Sequence, residues 1–231
     1  MILDFENKTV VITGATGAVG AAAVSAFQKK RANVVAIARD PVKLTALKES
    51  SPGLTTFSAD VTNEPAVEHV FREIYEKIGA TDILIHTVGG FRGGQYIQDI
   101  STADWQKMIE LNLSSAFLCA RKSLQHMISK GGKIVTISAM SAIHIGAKRS
   151  AYAVSKAGLI ALTKTIAEEG KAINVQANTI APGIILTEAN QRDMPDMDQS
   201  LWVKPGDIAE TILFLCSPQA LTITGTIIEM P

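Results

Sequence analysis

Nineteen consecutive residues, Thr9 to Phe27, carry no charge, and Gly14, Gly17 and Gly20 divide them. A β-branched run, Thr9 to Thr13, comes first, and a stretch rich in Ala and Val follows the glycines. Glycine tolerates the backbone angles of a tight turn, so the segment reads as a buried strand, a sharp turn and a buried helix. An apolar stretch of this length could in principle cross a bilayer. Its Gly, Ala and Thr content and its three interruptions argue against that.

The rest of the chain repeats the theme of short β-branched runs alternating with longer helical patterns. Strands are expected at Thr9–Thr13, Asn33–Ala38, Thr55–Ala59, Ile83–His86, Lys133–Ser138, Asn174–Ile180 and Thr226–Glu229. Helices are expected near 18–30, 41–49, 64–78, 103–129, 151–169 and 206–216. Asp40 before Pro41 reads as a cap and first helical position, and Ser101 to Asp104 resembles a capping box. The strands are mostly continuous apolar runs, as expected when both faces of a sheet are covered. Alternation of this kind implies an α/β fold, a doubly wound parallel sheet of about seven strands with helices on both faces. No repeat or low-complexity linker divides the chain, so residues 1–231 are read as one domain. One connection, Thr187 to Val203, looks irregular and follows a strand end, where such sheets place their ligands; it reads as a mobile lid or an ordinary surface loop.

Charge excludes several functions. Lys and Arg total 22 and Asp and Glu total 22, so no nucleic-acid footprint and no affinity for an anionic membrane are expected. The segment Met1 to Glu6 shows neither the basic nor the apolar part of a signal peptide, which points to the cytoplasm. Cys119 and Cys216 lack metal or redox spacing and read as buried thiols. His69, His86, His126 and His144 are not spaced as ligands, and no metal is expected.

Two motifs carry chemistry. Thr13-Gly14-Ala15-Thr16-Gly17-Ala18-Val19-Gly20 lies between the first strand and first helix, where backbone N–H groups can meet a pyrophosphate. Much later, Tyr152 and Lys156 stand four residues apart on one helical face. A positive charge beside a phenol favours the phenolate and makes it useful for proton transfer near neutral pH.

With Asp60-Val61 after the third strand, Asn112 in Leu111-Asn112-Leu113, and Ala181-Pro182-Gly183 with Thr187, the chain resembles the short-chain dehydrogenase/reductase family over essentially its whole length. The resemblance implies a Rossmann-type domain binding a nicotinamide dinucleotide through Gly14, Thr16, Gly17, Ala18, Val19 and Gly20. Ala18 stands where that family usually has its second glycine. Asp60 and Val61 would flank the adenine. Val88, Gly89, Tyr152, Lys156, Pro182, Gly183, Ile185 and Thr187 would complete the cofactor site, the segment from Pro182 to Thr187 on the nicotinamide side. The second strand ends Ala38-Arg39-Asp40. An acidic residue there binds the ribose hydroxyls of NAD, whereas an arginine accommodates a 2′-phosphate. Arg39 therefore predicts NADP(H), unless Asp40 turns inward and Arg39 is only a surface charge.

By the same resemblance Tyr152 donates a proton to the substrate oxygen. Lys156 lowers its pKa and holds the ribose, and Asn112 organises a proton relay. The family's serine falls thirteen residues before the tyrosine, at position 139, which here is Ala139. Such a donor is worth about 10²–10³ in rate. Ser141 on the following loop is the easier substitute; Ser138 should point to the other side of the strand. The substrate could also dispense with the donor. His86-Thr87-Val88-Gly89 replaces the family's Asn-Asn-Ala-Gly, and Gly90-Phe91-Arg92-Gly93-Gly94 resembles the dihydropteridine reductase branch, which also has alanine at the serine position. Phe91 could stack on a planar ring or simply pack.

These readings converge on an NADP(H)-dependent oxidoreductase that reduces a small carbonyl or quinonoid compound. Reduction of quinonoid dihydropterin is an alternative, and a cofactor-binding sensor or scaffold with little catalysis is another. A homodimer or homotetramer is expected, with Ala116, Phe117, Leu118, Ala157, Leu159, Ile160 and Leu162 serving core or interface.

Overall fold

A computed structural model describes residues 3–231. Seven parallel strands form one sheet in the order β3-β2-β1-β4-β5-β6-β7. They are β1 (Thr9–Thr13), β2 (Asn33–Ala38), β3 (Thr55–Ser58), β4 (Ile83–His86), β5 (Gly132–Ile137), β6 (Val175–Pro182) and β7 (Ile227–Met230). The helices between them are α1 (Ala18–Lys29), α2 (Pro41–Glu49), α3 (Glu64–Lys77), α4 (Thr102–Ile109), α5 (Ser115–Met127), α6 (Ser150–Gly170), α7 (Glu188–Asp193) and α8 (Pro205–Cys216).

The two-residue period of a strand sorts the core into halves. On β1, Val10 and Ile12 join the cluster under α1 and α8, whereas Val11 joins the one under α3 and α5. On β4, Ile83 and Ile85 divide from Leu84 in the same way. Every residue of β1 and β4 is buried, which explains their continuous apolar character. Phe71, Ile74, Ile12 and Leu84 are each almost wholly removed from water, at about 1.5–3 kcal/mol apiece. Cys119 and Cys216 are free and buried, and burial pushes both thiols up.

The strand order reverses between β1 and β4, because β2 continues from one side of β1 and β5 from the far side of β4. The crevice at the carboxyl ends of these two strands is the place where such sheets bind ligands.

Expected element ends shift by one or two residues at several places. The bounds follow pairing: β6 continues to Pro182 because Pro182 registers against Met230 of β7. Two corrections are larger. The helix expected over 103–129 is two helices, α4 and α5, joined by a π-helical turn at Glu110–Ser114. The wider turn holds Asn112 where its amide reaches Gly90. The connection Thr187 to Val203 is also less irregular than expected. It contains α7, capped when the Thr187 hydroxyl accepts from Asn190 N–H, and Ile185 bridges to Val203 as in a parallel ladder.

Candidate active site

A groove of about 960 Å³ opens at the crevice, lined by Gly14, Thr16 and Gly17 from the first turn, by Ala38 at the end of β2 and by Arg39 and Lys43 beyond it. Ala59, Asp60, Val61 and Thr62 line it after β3, and Thr87, Val88 and Gly89 after β4. Gly14 has φ +71°, and a side chain there would run into Thr87 and Val88. At Gly20 an added Cβ would come within 2.3 Å of the Gly14 carbonyl oxygen, so this glycine lets α1 start close beneath the turn. The first turn of α1 has no capping side chain and no acid, which leaves its N–H groups open to an anion. Val19 and Gly20 are themselves buried beneath the turn.

Asp40 does not reach into this groove. Its carboxylate caps α2, accepting from the N–H groups of Val42 at 2.9 Å and Lys43 at 3.2 Å. The first carboxylate after β2 is thereby engaged with its own backbone. Next to β2 the groove instead receives two cations, Arg39 and Lys43; its other charged lining residues are Asp60, Lys107 and Glu110. Arg39 is mostly exposed and stands 4.0 Å from Asp60, whose carboxylate also accepts from the Thr62 hydroxyl and N–H. Those two bonds and the Arg39 charge keep the Asp60 carboxyl below its ordinary value although burial acts the other way. Lys43 was not among the expected residues; in sequence it is a cation three residues past a capping aspartate.

Asn112, Ser155 and Lys156 are buried around the carboxyl ends of β4 and β5. The Lys156 ammonium donates to the Ile137 carbonyl at 2.8 Å. Burial lowers its pKa to about 8. Tyr152, on the first turn of α6, is pushed up to about 12 by burial, and the cation opposing that effect is Arg149. The Lys156 ammonium, expected to tune Tyr152, has the Ile137 carbonyl as its hydrogen-bond partner. Asn112 accepts from Gly90 N–H at 2.9 Å and donates to Gly90 C=O at 3.1 Å, so it fixes the start of the glycine loop. It also donates to Ser155, whose hydroxyl donates to the Tyr152 carbonyl. Gly89 packs against both: a Cβ there would lie 2.8 Å from the Lys156 nitrogen and 3.0 Å from the Asn112 oxygen.

The serine position is occupied by Ala139, buried and extended. Ser138 donates to the Lys156 carbonyl at 2.9 Å. Ser141 is half-buried and accepts from Arg149 at 3.3 Å. Phe91 is 61% exposed and meets Tyr152 edge-on, with ring centroids 5.0 Å apart at 84°. Pro182, Gly183, Ile185 and Thr187 do not line the groove at β1 and β4; Pro182 ends β6 and the other three follow it, and the Gly183 N–H donates to the Met230 carbonyl at 2.7 Å.

Three comparisons bear on this geometry. The family model described as enoyl-(acyl carrier protein) reductase matches residues 14–230. The chain is 29% identical to a 3beta-hydroxysteroid dehydrogenase of Mediterraneibacter gnavus, over 97% of this chain and 93% of that protein. It is likewise 29% identical to a 3-oxoacyl-acyl-carrier-protein reductase of Thermotoga maritima, over 98% of this chain and 97% of the relative. Its fold superimposes with a TM-score of 0.87 on a short-chain dehydrogenase/reductase of the glucose/ribitol dehydrogenase type from Brucella melitensis, at 29% identity over 99% of this chain and 97% of the other. A glycine turn at the strand-order reversal, a buried lysine four residues after a tyrosine, and this breadth of likeness lead to one conclusion: the chain belongs to the short-chain dehydrogenase/reductase family, whose members are NAD(P)-dependent oxidoreductases.

Proposed function

We propose that the whole chain acts as one NADP(H)-binding domain and reduces a small carbonyl compound, with Tyr152 as the proton donor. The observation that carries the cofactor assignment is the capping role of Asp40, which leaves Arg39 and Lys43 as the charges facing the groove beyond β2. Guanidinium and ammonium groups suit a 2′-phosphate, and a carboxylate in that place would repel it. The open N-terminus of α1 and the space left by Gly14 fit a pyrophosphate. A bound nicotinamide would supply the hydride; the chain supplies everything else.

Tyr152 holds its proton across the physiological range, since burial raises its pKa to about 12, so it arrives at the substrate oxygen as an acid. Lys156, held by Ile137, keeps a positive charge beside Gly89 of the groove at neutral pH. Asn112 positions the loop from Gly89 through its two bonds to Gly90. With Ala139 unable to donate, Ser141 is assigned the second bond to the substrate oxygen. Arg149 donates to its oxygen, which leaves the hydroxyl proton free for that use.

A second reading, reduction of quinonoid dihydropterin, draws on Phe91, whose exposed ring stands against Tyr152 and could cover a planar substrate. NADPH oxidation measured with ketones, aldehydes, quinones and quinonoid dihydropterin separates the two. Tyr152→Phe should cut turnover sharply while cofactor affinity is retained. Unchanged turnover in that variant would defeat the mechanism, and preference for the pterin would replace the carbonyl reading with the second.

A further inference from the structure

The mouth beside Tyr152 carries more positive charge than the orientation of Ser141 requires. From Ala139 to Ser150 the chain carries His144, Lys148 and Arg149 and no carboxylate. The glycine loop from Thr87 to Gln95 adds Arg92 and again no carboxylate. Arg92 is matched by Asp104, and His144 lies 3.8 Å from Glu229. Lys148 and Arg149 have no carboxylate within ion-pairing distance among the described residues; Lys148 sits over the Tyr96 ring, 4.6 Å from its centroid, whereas Arg149 meets the Ser141 hydroxyl and the Phe91 ring, 6.0 Å from the guanidinium carbon to the ring centroid.

Those contacts place it at the chemistry. Arg149 and Tyr152 are one helical turn apart, Phe91 touches the Tyr152 ring, and Ser141 is the hydroxyl assigned to the substrate oxygen. Arg149 also stands at the cap of α6, a 21-residue helix whose first turn has no acid and whose cap gives no side-chain bond. The positive end of that helix adds to the guanidinium. An unpaired guanidinium beside a substrate-facing serine and an aromatic ring is suited to a planar anion, which it can grip with two parallel bonds.

We propose that Arg149 anchors a carboxylate of the substrate, and that the carbonyl compound reduced at Tyr152 is an oxo acid. This rests on the reduction at Tyr152 proposed above. Arg149 sets specificity: it holds the far end of the molecule, Phe91 covers its middle, and Tyr152 and Ser141 meet the reacting oxygen.

The test pairs acids with their neutral esters. NADPH oxidation is followed with pyruvate, acetoacetate and levulinate, each beside its methyl ester, in the unaltered enzyme and in Arg149→Ala and Arg149→Lys. Lys29→Ala, which removes a surface cation far along the chain from the site, is the charge control. At least one acid should be preferred over its ester, and Arg149→Ala should raise the KM for that acid roughly tenfold to a hundredfold, the usual worth of a charge-assisted bond, with a smaller effect on kcat. Arg149→Lys should restore part of the preference, and Lys29→Ala should keep all of it. Tyr152-dependent turnover of esters and ketones with no preference for acids overturns the inference and leaves the proposed reduction standing. So does an acid preference that survives in Arg149→Ala. Absence of turnover with every compound overturns both.

Discussion

The Ser138 hydroxyl donates to the backbone carbonyl of Lys156 at 2.9 Å, so the serine next to the vacant donor position is committed to holding the lysine. The lysine returns a bond from its ammonium to Ile137, one residue earlier. The end of β5 and the second turn of α6 are thereby clasped together. Ser138→Ala removes a buried hydrogen bond while the Lys156 carbonyl keeps its partner within α6, at about 0.5–1.5 kcal/mol. For a chain of this size that amounts to a fall of a few degrees in melting temperature, at roughly 2–4 °C per kcal/mol. Ser141→Ala removes the group assigned to the substrate oxygen and should lower kcat about a hundredfold with little change in melting temperature. Thermal melts and kcat on the two variants check this; a larger kcat loss in Ser138→Ala would reverse the assignment.

The pH dependence should belong to Lys156 rather than to Tyr152. Burial lowers the lysine to about 8 and raises the phenol to about 12, so the lysine loses its proton first as pH rises. The kcat/KM for carbonyl reduction, which reports the free enzyme, should be level through neutrality and fall above about pH 8. Lys156→Arg keeps a charge at all these values, and whatever activity it retains should lose that falling limb. A profile in Lys156→Arg that still falls near pH 8 would assign the limb to another group.

How much of this was readable beforehand differs from residue to residue. The bounds of β1, β2 and β4 follow from β-branched runs buried on both faces, and α2 from Asp40 and Pro41. The orientation of Ser138 follows from strand alternation alone. The π turn at Asn112 left no such trace, because one extra residue per turn barely changes the apolar spacing of α4 and α5. Helix α7, at six residues, is too short to show a period. Lys43 and Arg149 were missed for a different reason. Each is an ordinary surface cation in sequence, and only the tertiary placement of the groove beyond β2 and of Phe91 beside Tyr152 gives it a role.

Cofactor preference should depend on two cations acting together. Arg39→Ala and Lys43→Ala should each reduce the preference for NADPH over NADH about tenfold, and the double variant should come close to abolishing it, read as the ratio of kcat/KM values. Asp40→Ala is the informative companion. It removes the cap of α2, at about 1 kcal/mol, and should leave the preference as it was. An Asp40→Ala enzyme that shifts toward NADPH would mean that the carboxylate faces the cofactor after all, and an Arg39→Ala enzyme with full preference would remove the assignment to NADP(H).

His86 should give the protein a stability that depends on acid. The ring lies wholly inside, between Thr13 on β1 and Ser115 on α5. The Ser115 hydroxyl donates its single proton to the Leu111 carbonyl at 2.7 Å, so toward His86 it accepts. The Nε2 atom must then carry hydrogen, and Nδ1 accepts from the Thr13 hydroxyl at 2.8 Å. Both bonds need the neutral ring, and burial together with the Lys156 charge lowers its pKa from 6.5 to about 3. The unfolded chain takes up a proton at the ordinary value and the folded one does not. The stabilisation from this site is therefore complete above about pH 6.5 and is lost as pH falls toward 3, at up to about 1.4 kcal/mol per pH unit. His86→Asn should be less stable at pH 7, because an amide cannot span from Thr13 to Ser115 as the ring does. It has no proton to gain, so its urea midpoint should fall less steeply between pH 6.5 and pH 4, and the two proteins should approach each other over that range. Parallel curves for the two would show that His86 is not the group through which acid acts.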